Sequence, residues 1–172
     1  MTISLLVAND KTSKDFIKET ITQFHSYVPS TSSVGRRIDW VVFNDDKPIG
    51  MIGIGSSVYP PPKDILKHTK LSIKEYKNKF NSFANNWRFC MREKIRNAGT
   101  QILKELRRQA PLYWKQKYND DLLYLITFVA GGNNGAVYKA DNWSQIGQTS
   151  GLPPHKSISM KWDTHESLKE KY

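Results

Sequence analysis

Residues 38–57, with the sequence IDWVVFNDDKPIGMIGIGSS, decide the fold because they predict a strong β-hairpin. An apolar run, IDWVVF, is followed by the polar turn NDDKP and by a second apolar run, which is the pattern of two antiparallel strands. Gly50, Gly53 and Gly55 in the second strand indicate a bulge, or a place where another backbone or a ligand approaches closely. The hairpin therefore supplies two neighbouring strands of a sheet.

The segment before the hairpin predicts a strand, a helix and a loop. Residues 3–9 (ISLLVAN) predict the first strand, and Ser13 is a plausible N-cap for a helix. The residues on the apolar face of this helix recur at helical spacing: Phe16, Ile17, Thr20, Ile21 and Phe24. Residues 25–37 (HSYVPSTSSVGRR) are rich in Ser, Pro and Gly, and therefore predict a loop.

The segment after the hairpin predicts an insertion, a strand and a long helix. The run YPPPKD breaks regular structure, and residues 66–80 (LKHTKLSIKEYKNKF) predict a mobile, partly helical insertion. Residues 83–91 (FANNWRFCM) have strand character. Residues 92–109 (REKIRNAGTQILKELRRQ) predict a helix with an apolar face and arginines opposite, and Pro111 is expected to end it.

The C-terminal third predicts three shorter elements. Residues 122–130 (LLYLITFVA) form a continuous apolar run, which is typical of a central strand covered on both faces. Residues 136–143 (AVYKADNW) predict two helical turns after a GGNNG turn, and residues 144–149 (SQIGQT) predict another short strand. The polar tail from about residue 152 carries no clear pattern. The order of elements predicts an α/β (α+β) fold, with one mixed sheet flanked by helices in a single domain.

The positive charge of the chain is concentrated in one segment. The formal net charge is +10, and residues 74–117 contain twelve Lys or Arg against three Glu. Aromatic residues, such as Tyr76, Trp87 and Trp114, are interleaved with these cations. Clustered cations with stacking rings are typical of proteins that bind the phosphate backbone of nucleic acids. We therefore expect a nucleic-acid partner, with an acidic protein or the phosphates of CoA as alternatives.

Several classes of protein are disfavoured. No stretch approaches 18 uninterrupted apolar residues, so no membrane partner is expected. Cys90 is the single cysteine and cannot form an internal disulfide, so we expect a buried strand thiol in a protein of the cytoplasm. The four histidines are scattered, and neither a zinc-site spacing nor a P-loop is present. We therefore predict no metal and no direct use of ATP.

Five strings of the sequence carry a resemblance to a known family. They are FHSYVPSTSSVGRRIDWVVF, NNWRF, RNAGTQIL, RRQAPLYWKQKY and, most specifically, NNGAVYKADNWSQIGQTSG. Together they resemble the Mom-type DNA-modification proteins of bacteriophages, over about residues 24–151, and also the DruA-like proteins of a bacterial anti-phage system. The resemblance implies the fold of the GCN5-related N-acyltransferase superfamily. It also implies alteration of adenine in double-stranded DNA, which shields phage DNA from restriction.

The same resemblance implies a segment that binds acetyl-CoA or another acyl-CoA. Acyltransferases of this superfamily hold the CoA pyrophosphate on the backbone N–H groups of a helix N-terminus, where the helix dipole favours an anion. The matching segment approximates the signature [QR]-x-x-G-x-[GA], with Gln101 in place of the final small residue. An ordinary helix start is the alternative. The candidate cofactor-binding residues are Arg96, Asn97, Ala98, Gly99 and Thr100.

Three residues are candidates for catalysis. The resemblance places Tyr138 where the superfamily often has a tyrosine that protonates the leaving thiolate, and a core tyrosine that anchors Trp143 is the alternative. His25 lies in a predicted loop, where it can act as a base or hydrogen-bond the substrate. Asp39, at the start of the hairpin, is a candidate to orient His25 or to receive a proton, and a solvated carboxylate is the alternative.

Other polar and aromatic side chains are candidates for contact with the substrate. Arg36, Arg37 and Arg88 are candidates for phosphate or base contacts, and Asn86 is a candidate to position the substrate through its amide. A base inside a duplex is reachable only after extrusion from the stack, so a pocket walled by rings is expected. The candidate rings are Tyr27, Trp40, Tyr59 and Trp87, and Asn142 and Trp143 are expected to shape the pocket.

Three functions are compatible with these patterns. The first is a transferase that attaches a small group to adenine N6 in double-stranded DNA. The second is a conventional acetyl-CoA-dependent N-acetyltransferase that acts on a protein or a small amine. The third is a non-catalytic DNA-binding subunit of a defence system. Only the first and third require the cationic segment, and only the first and second require Tyr138.

Overall fold

A five-stranded mixed sheet with helices on both faces organises the computed structural model, which describes residues 2–24, 31–129 and 134–148. The strands are β1 (Ile3–Val7), β2 (Arg37–Asn44), β3 (Lys47–Ser56), β4 (Phe83–Met91) and β5 (Tyr124–Ile126). The helices are α1 (Lys11–Phe24), α2 (Lys63–Thr69), α3 (Ile73–Asn78), α4 (Ala98–Tyr118) and α5 (Ala136–Ala140), with a 3-10 turn at Phe80–Ser82. The strands follow one another in chain order, antiparallel except for β5, which runs parallel to β4. The predicted α+β class is confirmed.

The hairpin lies at the centre of the sheet, as the sequence predicts. β2 pairs with β3, and the register between β3 and β4 shifts between Gly53 and Ile54. Gly53 pairs with Arg88 while Ile54 pairs with Asn86, so Trp87 is the extra residue of a β-bulge. A Cβ atom on Gly53 would collide with the Asp39 carboxylate and the Trp87 indole, which confirms a close approach there.

The two faces of the sheet have separate apolar clusters. The larger cluster packs against α4 and contains Ile38, Trp40 and Val42 from β2. The smaller cluster packs against α1 and contains Val41 from the same strand. Alternate residues of a strand point to opposite faces, so this pattern assigns each residue of β2 to one side of the sheet. Cys90 belongs to the α1 side, where it is buried as predicted, and burial raises the pKa of its thiol to about 11.

The start of α1 differs from the prediction. The helix begins at Lys11, and the Asp10 carboxylate accepts hydrogen bonds from both the backbone N–H and the hydroxyl of Ser13, at 2.9 and 2.7 Å. Asp10 is therefore the capping residue, and Ser13 is its partner inside the first turn. The prediction of Ser13 as the N-cap is wrong. Aspartate and serine are both good N-cap residues, and the sequence offers Asp10 and Ser13 within one turn of each other.

The long helix α4 is displaced toward the C-terminus from its predicted position. It begins at Ala98 and continues through Pro111 to Tyr118, so the expected stop at Pro111 is wrong. A proline inside a helix removes one backbone hydrogen bond and crowds the preceding turn. Burial of Leu106, Ala110 and Trp114 on either side of it offsets this cost, because these side chains pack against the sheet only if the helix continues.

The apolar run at residues 122–130 does not form the predicted central strand. Only Tyr124–Ile126 pairs with β4, at the edge of the sheet, and Tyr124 is 36% exposed. Leu122 and Leu125 pack on the α4-side cluster, and Leu123 faces solvent. Ile126 packs on a separate cluster that contains Phe83, and the Phe83 ring stacks on Tyr124 at 4.4 Å, so both sides of the run are partly covered. The predicted strand at residues 144–149 is also wrong, since residues 144–148 have no regular structure and residue 149 lies outside the described residues.

The segment between β3 and β4, residues 57–82, is hereafter the α2–α3 insertion. It is partly helical, as predicted, and has an apolar cluster of its own around Ile65, Tyr76 and Phe83. The Tyr76 side chain is fully buried, and its hydroxyl bonds with the Ser57 hydroxyl at 2.7 Å and donates to the Val58 carbonyl at 3.0 Å. The insertion is thus fixed to the end of β3. Among the described residues, no helix has the length and apolar character required to cross a bilayer.

Candidate functional site

A cleft of about 850 Å³ opens beside β5, on the side where α5 packs. Residues 122–129 form one wall, residues 134–148 form a second, and α2 contributes a third. Arg107 and Pro111 of α4 close its floor. Apolar and polar side chains contribute to its lining in comparable amounts, and the cleft has the size of a site for a small organic ligand.

Tyr138 lies at this cleft, and its orientation is fixed by a residue far away in the sequence. Its hydroxyl donates a hydrogen bond of 2.7 Å to Oδ1 of the buried Asn86 on β4. Its ring packs edge-on against Phe89 and Trp143, with ring centroids 6.4 and 5.2 Å away. The phenol is therefore held at a defined place in the cleft wall.

The carboxamide of Asn86 is fully engaged with the protein. Besides accepting from Tyr138, it donates through Nδ2 to the Gly53 carbonyl at 2.8 Å and to the Arg88 carbonyl at 3.0 Å. A buried amide with these partners is not available to a base, so the prediction that Asn86 contacts the substrate directly is wrong. Its place in the structure is that of a positioning residue for Tyr138.

The backbone explains why Asn86 and Tyr138 meet. The last pair between the parallel strands joins Asn85 to Ile126, and β4 continues beyond it for six residues without β5 beside it. Asn86 is the first residue after this divergence and lies next to the bulged Trp87. Clefts outside the carboxyl end of parallel strands are the usual ligand sites of β–α–β units, and Tyr138 stands at this place.

The sequence analysis missed an ion pair at the cleft, between the exposed Arg107 and the buried Asp141. The Arg107 guanidinium donates two parallel hydrogen bonds, of 2.9 and 2.8 Å, to the buried Asp141 carboxylate. These bonds raise the pKa of Arg107. Asp141 also accepts from the Trp143 indole at 2.9 Å, so the ion pair joins α4 to the segment after α5. The sequence did contain a signal for Asp141, because this aspartate directly precedes Asn142 and Trp143, which were chosen as candidate residues while Asp141 was not.

Asn142 and Trp143, which the sequence analysis expected to shape a substrate pocket, line the cleft. Asn142 is exposed and has a positive φ of 62°, a conformation that asparagine tolerates better than most residues. Trp143 is half-buried between Tyr138 and Asp141. The backbone conformation of Asn142 and the contacts of Trp143 thus shape the wall of the cleft, and neither could be read from the sequence.

The predicted cofactor segment lies at the start of α4 and not in the lining of the cleft. Gly99 lies against the Val137 side chain of α5, which a Cβ atom on Gly99 would strike. Thr100 donates its hydroxyl hydrogen to the Asn97 carbonyl at 3.1 Å, Arg96 is exposed, and Ala98 is buried. The Val137 side chain therefore fills the space beside the α-carbon of Gly99.

Asp39 does not lie near Tyr138. It is on the same face of β2 as Val41, which packs against α1, whereas Tyr138 packs on the α4 side. The Asp39 carboxylate accepts from the Trp87 indole at 2.9 Å and pairs with Arg37. Burial raises the pKa of Asp39, although the neighbouring Arg37 acts in the opposite direction. Asp39 therefore lies apart from Tyr138, and the partner predicted for it, His25, is outside the described residues.

The three arginines predicted to contact the substrate instead contact aromatic rings and carboxylates of the protein itself. The Arg37 and Arg88 guanidinium carbons lie 4.0 and 4.7 Å from the centroid of the Trp87 ring. Arg36 stacks on Tyr118 at 4.7 Å and pairs with Asp120 at 2.6 Å. These cations stabilise the packing of β2 and β4, and the structure gives no separate indication of contact with a substrate.

The predicted pocket of rings is not formed as expected. Trp40 is 0% exposed in the core, so its prediction as a wall of a base pocket is wrong. Tyr59 is exposed and packs edge-on against Phe80 of the insertion, and Trp87 lies on the α1 side. His25 and Tyr27 lie outside the described residues, as does the tail from residue 152.

Comparisons with known proteins identify no relative: no family model, curated protein or solved structure matches the chain. Within residues 2–24, 31–129 and 134–148, no group of three or more His, Cys, Asp or Glu side chains is arranged to hold a metal ion. The cleft and the residues that line it are therefore the structural basis for a proposed function.

Proposed function

We propose that this protein is a DNA-base-modifying transferase whose reaction takes place in the cleft at Tyr138. The single observation that carries the proposal is the phenol of Tyr138, held by the buried Asn86 where β4 and β5 diverge. This hydrogen bond fixes the phenol oxygen beside the cleft, and the O–H exchanges Oδ1 of Asn86 for the leaving group when it acts as a proton donor. The sequence resemblance to the Mom-type proteins, which is strongest around Tyr138, supplies adenine N6 in double-stranded DNA as the acceptor.

The proposed chemistry assigns Tyr138 the role of general acid. The adenine N6 amine attacks the electrophilic carbon of a small-group donor, and the new C–N bond forms as the bond from that carbon to the leaving group breaks. The Tyr138 hydroxyl gives its proton to the leaving group, and a base takes the proton of the amine. His25 remains the candidate base from the sequence. The target adenine must first leave the base stack, and the apolar wall at residues 122–129 offers it a surface.

The proposed reaction also requires a donor of the small group. An acyl-CoA would supply an activated acyl group, but Val137 covers Gly99 at the predicted pyrophosphate segment. If acyl-CoA is the donor, its pyrophosphate is held by residues other than Gly99. We therefore propose a transferable small group as the class, and acyl-CoA as one donor to be tested.

The test is nucleoside mass spectrometry of DNA from bacteria that express the protein. We expect a mass-shifted deoxyadenosine with the wild-type chain and a loss of about 10²- to 10⁴-fold in modification rate with Tyr138→Phe. Tyr118→Phe is the matched control, because its hydroxyl is also hydrogen-bonded, to Arg37 backbone atoms at 2.7 and 2.9 Å, away from the cleft. Unmodified deoxyadenosine with the wild-type chain, or full modification with Tyr138→Phe, contradicts the proposal.

A second candidate function is a DNA-binding protein without transferase activity. One observation favours it: the position predicted for the cofactor, beside Gly99, is filled by Val137. This function predicts salt-sensitive DNA binding together with unchanged nucleosides. A conventional N-acetyltransferase instead predicts acetylation of an amine and no requirement for DNA. An assay of CoA release from acetyl-CoA in the presence of an amine acceptor, with and without duplex DNA, separates this function from both.

A further inference from the structure

The α2–α3 insertion carries several lysines that form no ion pair with carboxylates of the described residues. Residues 57–82 have a formal net charge of +4 from six lysines, one aspartate and one glutamate. The six lysines are all exposed, and within the described residues none of them forms an ion pair. They are Lys63, Lys67, Lys70, Lys74, Lys77 and Lys79. The one glutamate, Glu75, is engaged in a capping box with Ser72.

The cations of α4, in contrast, are largely neutralised by the protein. Arg107 pairs with Asp141, Arg108 pairs with Glu105, and Lys115 pairs with Asp121. A phosphate that approached these cations would also approach their carboxylate partners, which oppose its binding. Within the described part of the chain, three of the five cations of α4 are thus paired with carboxylates, whereas none of the insertion lysines is.

The insertion is fixed in place and lies beside the candidate active site. Tyr76 is buried and hydrogen-bonded to Ser57, which fixes α3 to the end of β3. From α2, Asp64, Ile65 and His68 contribute to the lining of the cleft that holds Tyr138. A polyanion bound to the lysines of α2, the helix that lines the cleft, and extended onto those of α3 would thus pass beside the cleft.

We propose that the α2–α3 insertion binds the phosphate backbone of duplex DNA and so presents the target base to the cleft. Exposed lysines that lack protein partners bind phosphates by release of condensed counterions, without a requirement for base sequence. The choice of duplex DNA as the polyanion rests on the proposed function. The surface itself rests on the unpaired lysines and on their place beside the cleft.

The test compares two triple variants that change the net charge equally. Lys67/Lys74/Lys77→Gln removes three charges from the insertion. Lys11/Lys14/Lys18→Gln removes three from α1, which packs on the opposite face of the sheet and also carries Asp15 and Glu19. The dissociation constant for a 20-base-pair duplex is measured at several salt concentrations by fluorescence anisotropy, and thermal unfolding checks that both variants fold.

For three lost phosphate contacts we expect the slope of log Kd against log salt to fall by about 2.7, which corresponds to roughly 500-fold weaker binding at 0.1 M salt. We expect the α1 variant to retain the wild-type slope. Equal weakening in the two variants, an unchanged slope in the insertion variant, tighter binding of an RNA duplex, or no binding by the wild-type chain would overturn the inference.

The DNA-binding result is independent of whether the bound DNA is modified. If the insertion variant loses DNA binding while nucleosides from wild-type cells are unchanged, the inference stands and the transferase proposal fails. If wild-type cells contain modified adenine and the insertion variant binds DNA normally, the transferase proposal stands and the inference fails.

Discussion

The hydrogen bond between Tyr138 and Asn86 makes a prediction that thermodynamics can test. Tyr138→Phe keeps the ring that packs against Phe89 and Trp143 and removes only the hydroxyl, so Oδ1 of Asn86 loses its donor. A lost neutral hydrogen bond that leaves a buried acceptor unsatisfied costs about 1–2 kcal/mol. For a chain of this size, that cost lowers Tm by roughly 2–8 °C.

Asn86→Ala removes three hydrogen bonds at once and leaves the Gly53 and Arg88 carbonyls without this partner. We expect a loss of about 3–5 kcal/mol in the free energy of unfolding. The double variant, Asn86→Ala with Tyr138→Phe, loses the shared bond only once. Its destabilisation should therefore be smaller than the sum of the two single effects by about 1 kcal/mol.

The assay is equilibrium unfolding in urea, followed by circular dichroism, for the wild-type chain and the three variants. Nucleoside mass spectrometry on the same set separates a structural from a catalytic role. The positioning role of Asn86 predicts that both single variants lose modification, whereas Tyr118→Phe loses stability alone. Single effects that add within about 0.5 kcal/mol would refute the reasoning, because the two side chains would then not be coupled in solution.

Two further predictions follow from the packing of the two faces. Gly99→Ala should lower the free energy of unfolding by about 1–3 kcal/mol, because the added methyl group strikes Val137. Val137→Ala in the same chain should recover part of this loss, and no recovery in thermal unfolding would contradict the contact. Burial raises the pKa of Asp39, so the stability that it contributes is complete below its ordinary pKa of 3.8 and is lost as the pH rises through the raised value. Urea titrations from pH 3.5 to 7 should therefore show the wild-type chain losing stability relative to Asp39→Asn as the pH rises, and the opposite trend would show that the ion pair with Arg37 controls the carboxyl.

Much of the sheet could be predicted because its signals are local. The hairpin, the first strand and β4 are each specified by alternating or continuous apolar residues that end at polar turns. The continuation of α4 through Pro111 could not be predicted, since the cost of the proline is local while its compensation comes from packing against the sheet. The edge position of β5 could not be predicted either, because an apolar run has the same sequence pattern in a central strand as in a partly covered edge strand.

The candidate site divides in the same way. The sequence alone determined an α+β chain with a cationic middle segment and selected Tyr138, Asn142 and Trp143 as residues of interest. Only the tertiary structure decided that Asn86 holds Tyr138 across 52 positions, that Arg107 meets Asp141, and that Asp39 lies on the other face of the sheet. The reason is physical: apolar periodicity acts between near neighbours, whereas the partner of a buried polar group is set by which distant backbones the fold brings within about 3 Å.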